Sequence, residues 1–199
     1  MTELGLTDRP RPGGRSARVV SAVHQATFEL LEQVGYDGLQ LTDVAERAQV
    51  NKTTVYRRWP SKVELLSELL AALTQVEVAT PDTGSLQQDL EQLLTDIATV
   101  LQNRAIRAIL RGATEAAETT PLVRQAQTAF WEQRFRLSGA IVEKAIARGE
   151  LPTGVPAKAL LELAASPIYF RVLFIGEELT PTDVRELAAR AVLAFRGVA

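Results

Sequence analysis

Residues 52–58 read KTTVYRR: three cations, two hydroxyls and a phenol around one valine. No base stands among them to activate a nucleophile, and no ligand set for a metal. These groups donate hydrogen bonds and positive charge, which suits an anion. Lys52, Thr53 and Arg57 are the candidates for contact with base edges, because Lys and Arg donate to guanine O6 and N7 and a threonine methyl can meet that of thymine. Thr42, Thr54, Tyr56, Arg58 and Lys62 are better suited to phosphate oxygens.

Such a surface needs elements to hold it. Leu41, Val44, Ala45 and Ala48 fall at helical spacing and form a narrow apolar face. Thr42 is expected to cap this short helix through its hydroxyl, and its place at the N-terminus would favour an anion. Ala45 is small where two helices must approach closely. Gln49-Val50-Asn51 breaks the pattern, with Val50 plugging the corner and Asn51 capping a second short helix. That helix keeps only Val55 and Trp59 for burial, so it is built to present its other residues. Two short helices with an exposed basic second member are the layout of a helix-turn-helix DNA reader.

Residues 19–73 resemble the DNA-binding domain of the tetracycline-repressor (TetR) family of bacterial transcription regulators. The likeness rests on the run SARVVSAVHQATFELLEQVGYDGLQ, then LTDVAERA, then NKTTVYRRW, then PSKVELL. It implies a homodimer whose recognition helices enter successive major grooves of a palindromic operator. It also implies a larger helical domain that senses a small molecule, with repression as the usual outcome. Tyr56 and Lys62 match family positions whose counterparts grip the DNA backbone. Position 57 is often aromatic in relatives, so Arg57 departs from the pattern.

The whole chain carries a formal charge of −2, which does not suit a DNA reader until it is divided. Residues 9–62 hold nine Lys/Arg against five Asp/Glu, hence +4, and residues 63–199 hold thirteen against seventeen, hence −4. There is no Cys, which excludes disulfides and thiolate sites, and His24 stands alone, so no metal site and no cofactor are expected. No catalytic constellation or phosphate-cradling glycine loop is present, so the chain does not read as an enzyme. A protein-docking helical domain, its basic helix serving an acidic partner, is the other rival and predicts no dependence on DNA sequence. The N-terminus lacks an apolar signal region, and no apolar run of about 18 residues occurs, so a soluble cytoplasmic protein is expected.

The periodicity predicts an all-α chain of about nine helices in three parts: a basic arm over 1–15, a helix-turn-helix domain over 16–62, and a helical ligand-binding and dimerisation domain over 63–199. The arm, with Pro10, Pro12, Gly13 and Gly14 among Arg9, Arg11 and Arg15, is expected to be disordered. It is either a DNA-following arm or a solvated tail. A first helix over 16–34 carries Val20, Val23, Leu30, Leu31 and Val34 and ends at Gly35. Pro60 stops the recognition helix, and Ser61 with Glu64 boxes the start of a fourth helix running to Val78. Ser85 with Gln88 is expected to cap the fifth helix. The sixth, marked by Ile106, Ile109 and Leu110, should fade near Gly112. A long seventh runs from Pro121 to Arg148.

The eighth helix, from Pro156 to about Ile175, is apolar on nearly every side and must be covered on every side. The ninth, opened by Thr180, Pro181 and Asp183, offers a stripe of Val184, Leu187, Ala188, Ala191, Val192 and Phe195. Together they are expected to form a four-helix interface with a second copy. Phe130, Trp131 and Phe135 are candidates to line a ligand pocket, or are ordinary core or interface aromatics. Arg104, Arg107, Arg134 and Glu132 are either its polar anchor or a solvated face.

Overall fold

The computed structural model describes residues 14–74 and 80–196, and these are all-α, with no strand among them. The helices are α1 (Gly14–Val34), α2 (Leu41–Arg47), α3 (Lys52–Arg58), α4 (Lys62–Thr74), α5 (Leu86–Val100), α6 (Arg104–Thr119), α7 (Pro121–Ala147), α8 (Ala157–Tyr169) and α9 (Pro181–Arg196). A π-helical stretch, Phe170–Ile175, continues α8. The arm expected over 1–15 lies outside the described residues as far as 13, whereas Gly14 and Arg15 already belong to α1. The last turn expected of the fourth helix, to Val78, also lies outside them.

The described residues pack into two compact units, one drawn from 1–76 with 103–130, the other from 77–102 with 131–199. In the first, α2 and α3 pack as a pair, α1 meets α2, and α6 lies against both α1 and α4. Its core takes Val23, Leu31, Leu39, Val44, Val55, Leu65, Leu70 and Ile109, all essentially closed to water. Val34, expected in that core, is 48 % exposed. It ends α1, and its Cβ packs beside the Gly38 backbone, where a side chain on residue 38 would meet it at 2.9 Å.

Helix α6 does not fade at Gly112. It runs through to Thr119 on an alanine-rich sequence of good helix formers. Gly112 is there because the Tyr36 ring lies on it: a Cβ at 112 would stand 2.8 Å from Tyr36 Cγ. A glycine inside a helix costs about 0.5–1 kcal/mol relative to alanine, and here it admits an aromatic ring from the loop after α1.

In the second unit α5, α8 and α9 pack against one another. The start of α5 is not the expected box of Ser85 and Gln88, since the Ser85 side chain makes no capping bond. The Leu86 N–H donates instead to Glu150 Oε2 at 2.9 Å, and Asp89 takes the Thr83 N–H at 2.6 Å and its hydroxyl at 2.7 Å. Arg148 reaches the other Asp89 oxygen at 3.2 Å and Glu150 at 2.6 Å. Burial pushes the Asp89 carboxyl up, but its Thr83 bonds and Arg148 outweigh that and hold it below its ordinary value. By contrast, α9 opens at Thr180, Pro181 and Asp183 as expected, and there a box forms: the Thr180 N–H donates to Asp183 Oδ2 at 2.9 Å and the Asp183 N–H to Thr180 Oγ1 at 3.2 Å.

Helix α8 buries Leu160, Leu161, Ala164 and Ile168 on one side only. Leu163, Phe170, Phe174 and Ile175 remain 48–75 % exposed on its length and on the π stretch. Pro167 lacks the N–H its turn needs, and the ladder then widens, ending with the Gly176 N–H on the Arg171 carbonyl at 2.7 Å. The α9 stripe expected to meet a second copy is already used: Val184, Leu187, Ala188, Ala191 and Val192 are buried within the chain. Phe195, the last of the expected stripe, is only half-buried, and α9 leaves Leu193 77 % exposed.

Candidate nucleic-acid interface

The turn between α2 and α3 is closed by the backbone. The Ala48 N–H donates to Val44 O at 2.9 Å and the Val50 N–H to Ala45 O at 2.9 Å, while Gln49 takes a left-handed φ of 54°. Asn51 caps α3 as expected, its side-chain oxygen accepting the Thr53 N–H at 2.9 Å. Helix α2 begins two residues earlier than a cap at Thr42 would have it. Its cap position is Gln40, which makes no side-chain bond, and Thr42 lies inside the first turn with its hydroxyl donated to Asp43 Oδ1 at 3.2 Å. Burial of Leu41 decides that boundary, because the helix must start there to put Leu41 on the same face as Val44 and Ala45. Arg47 ties α2 to α1 through Glu29 at 3.2 Å and Gln33 at 3.0 Å.

With Val55 and Trp59 both buried, α3 turns one full face outward. Lys52, Thr53, Tyr56, Arg57 and Arg58 are exposed there and Thr54 is half-buried. The spacing 52, 53, 56, 57 is that of a single helix face. Among the described residues nothing pairs with the side chains of Lys52, Tyr56 or Arg57. The structure therefore brings the base-edge candidates Lys52, Thr53 and Arg57 together with Tyr56 on one surface. Thr42 stands apart on α2.

Lys62 is held differently. Its ammonium donates to Tyr36 O at 3.1 Å and Asp37 O at 3.4 Å, and lies 4.4 Å from the Tyr36 ring centre. That anchors the start of α4 to the loop after α1. Ser61 and Glu64 form the expected box, with the Val63 N–H donating to Ser61 Oγ at 3.2 Å and the Ser61 hydroxyl donating to the Glu64 carboxylate. The hydroxyl, more than any other partner, holds Glu64 below its ordinary value.

Sequence reasoning missed Glu68, on α4. Its Oε1 accepts from Arg58 Nη2 at 3.1 Å and lies 3.4 Å from His24 Nε2, while its Oε2 accepts from the Trp59 indole at 2.8 Å. The His24 contact first, then the Trp59 and Arg58 bonds, overcome desolvation and pull the carboxyl down to about 2. His24 is half-buried, and at 3.4 Å its Nε2 has no well-formed hydrogen bond. No local pattern announces this cluster, because its members come from α1, α3, the residue after α3, and α4.

The pocket candidates divide between the units. Phe130 is buried in the first. Trp131 and Phe135 are half-buried in the second, their rings 6.5 Å apart. Trp131 also meets Tyr169 edge-on at 5.1 Å, and Lys158 lies 5.5 Å from the Phe135 ring. Burial pushes the Tyr169 hydroxyl up to about 12 and lowers the neighbouring Arg134 guanidinium. Arg104 serves elsewhere, donating to the Gln33 carbonyl at the end of α1 at 3.1 Å. Among the described residues no group of acids and histidines is placed to hold a metal ion, and no helix is long and apolar enough to cross a membrane.

Two family models match the chain. Residues 24–69 match "Bacterial regulatory proteins, tetR family", and residues 80–191 match "Tetracyclin repressor-like, C-terminal domain". The chain is similar to the HTH-type transcriptional regulator YdeS of Bacillus subtilis, 31% identical over 96% of this chain and 92% of that one. It is similar also to the HTH-type transcriptional regulator AqdR of Rhodococcus erythropolis, 31% identical over 95% of this chain and 92% of that one. A crystal structure of a TetR family transcriptional regulator from Pseudomonas syringae pv. tomato superposes with a TM-score of 0.61 at 26% identity, covering 94% of this chain and 98% of that one.

Proposed function

We propose that this chain, which belongs to the TetR family of bacterial transcription regulators, represses its promoter as a homodimer on a palindromic operator and leaves it when a small molecule binds. The family consists of DNA-binding regulators rather than enzymes, and response to ligands is typical of it. The observation that carries the reading is the face of α3, on which Lys52, Thr53, Tyr56 and Arg57 stand exposed while Val55 and Trp59 anchor the helix from behind. Lys52, Thr53 and Arg57 read base edges. Thr42, Thr54, Tyr56, Arg58 and Lys62 hold phosphate, with Lys62 doing so from an ammonium already braced by two carbonyls.

Residues 16–62 act as the reader and 63–199 as the ligand-binding and dimerisation part. Two copies meet through the eighth and ninth helices, using Leu163, Phe170, Phe174, Ile175 and Leu193, the apolar side chains that one copy leaves exposed there. Trp131 and Phe135, with Tyr169 edge-on to Trp131, are the aromatic side chains offered to the effector within the second unit, and Phe130, buried in the first, is a separate candidate. The regulator works in the cytoplasm, where a dimer seated on a promoter excludes polymerase.

Fluorescence anisotropy with the DNA upstream of the chain's own gene, against a scrambled duplex and at several salt concentrations, tests this. Selective binding that weakens steeply with salt is expected. Equal affinity for both duplexes across the salt range, unchanged by Arg57→Ala, would contradict it.

A further inference from the structure

We infer that Glu68 is an internal stand-in for DNA phosphate: it holds Arg58 in the unbound protein, so that a well-fitted operator releases that arginine and a poorly fitted duplex does not. The inference rests on the reading of Arg58 as a phosphate-contacting residue.

Arg58 is the last residue of α3, at the edge of the reading face, and its side chain is 45% exposed. Its guanidinium is not loose. It bonds the Glu68 carboxylate at 3.1 Å and lies 5.1 Å from the centre of the Trp59 ring. A guanidinium fork recognises carboxylate and phosphate oxygens by the same geometry, so the two anions compete for the same donors. Glu68 cannot follow Arg58 outward. Its other oxygen is fixed by the Trp59 indole at 2.8 Å, Trp59 is 1% exposed, and His24 crowds the shared oxygen at 3.4 Å. The acceptor is therefore fixed from several sides while the donor has open space on its outer side, which is the arrangement of a latch that opens outward.

The strength of the pair suits that use. An ion pair with this much exposure contributes little, so a phosphate placed in line by a matched operator displaces Glu68 without difficulty. On an unmatched duplex, where the reading face does not seat, no phosphate is held close enough to compete. Arg58 then contributes to the specific complex and not to the non-specific one. A two-fold dimer carries the device twice.

The test compares wild type with Glu68→Gln, which removes the charge and keeps an oxygen for the Trp59 indole. Anisotropy titrations use the operator duplex and a scrambled duplex across a series of salt concentrations. Glu68→Gln is expected to tighten scrambled-duplex binding roughly two- to fivefold. It should also steepen the dependence of log K on log salt there by about 0.9 for each phosphate gained. The slope on the operator should stay nearly constant. In an Arg58→Gln background the same change at 68 should do neither. An unchanged scrambled-duplex slope in Glu68→Gln, or an equal gain with Arg58 removed, would overturn the inference; the second result would mean that loss of any nearby acid suffices. Arg58→Gln alone, if it leaves operator affinity and slope unaltered, removes Arg58 from the phosphate contacts and the stand-in with it. Lys52→Ala and Arg57→Ala report separately on whether α3 reads DNA. Thermal melts accompany each variant. Should Glu68→Gln fail to fold, Glu68→Asp withdraws the carboxylate by one methylene and is expected to act in the same direction, more weakly; no gain there would equally overturn the inference.

Discussion

Glu68 carries the sharpest consequence at the level of single residues. Its carboxyl sits at about 2 when folded, below the ordinary carboxylate range, with the His24 contact first among the causes. A depressed folded value means that the unfolded chain binds the proton more readily, so the stabilisation is complete at neutral pH and is lost as pH falls from about 4.5 towards 2. Urea titrations at steps through that interval should show wild type losing stability faster than Glu68→Gln, and parallel curves would contradict the assignment. On the reading face, Arg57→Ala should relax discrimination at one base pair by roughly 1–3 kcal/mol, whereas Tyr56→Phe should weaken all duplexes about equally. Competition titrations with single-base-pair variants of the operator would separate the two. The exposed groups of α3 were legible in the sequence because their spacing around Val55 is local. The Glu68 cluster was not, since three separate helices and Trp59 must fold together before its members meet.

Element boundaries follow the same division. The caps at Asn51 and Thr180, the box at Ser61 and the left-handed Gly35 with φ of 69° were legible, each being made within a few residues of chain. Where a distant partner intervenes, the local rule fails. Ser85 yields its capping role to Glu150 and Asp89, Thr42 yields the α2 boundary to the burial of Leu41, and Gly112, where α6 was expected to fade, is a seat for Tyr36. Gly112→Val should therefore destabilise by about 1–3 kcal/mol through overpacking against the ring, despite improving on glycine as a helix residue. Asp89→Ala should cost about 2–4 kcal/mol, because it strips the Thr83 N–H and Arg148 of a fully buried acceptor. Both are read from denaturant midpoints, and an unchanged midpoint in either would remove the packing account of that position.

For the molecule as a whole, the all-α class was legible from periodicity throughout, and the charge division from residue counts. An eighth helix too apolar to stand alone was also apparent, but which of its side chains stay outside was not, because that depends on how α5 and α9 cover it. Phe170 and Phe174, stacked at 6.1 Å and both exposed, mark the surface a second copy would bury. Phe174→Glu should shift the protein from dimer to monomer by light scattering and abolish operator binding with the folded helix content kept. A variant that remained dimeric would move the interface elsewhere. The central claim is that two copies of α3 read one two-fold site, and selection of binding sites from a pool of randomised duplexes tests it most directly. The account predicts recovery of an inverted repeat whose half-sites lie about 34–36 Å apart, or a multiple of that distance, and its loss with Lys52→Ala and Arg57→Ala combined. Recovered duplexes that share no sequence, or share one that the double variant selects equally well, would contradict it.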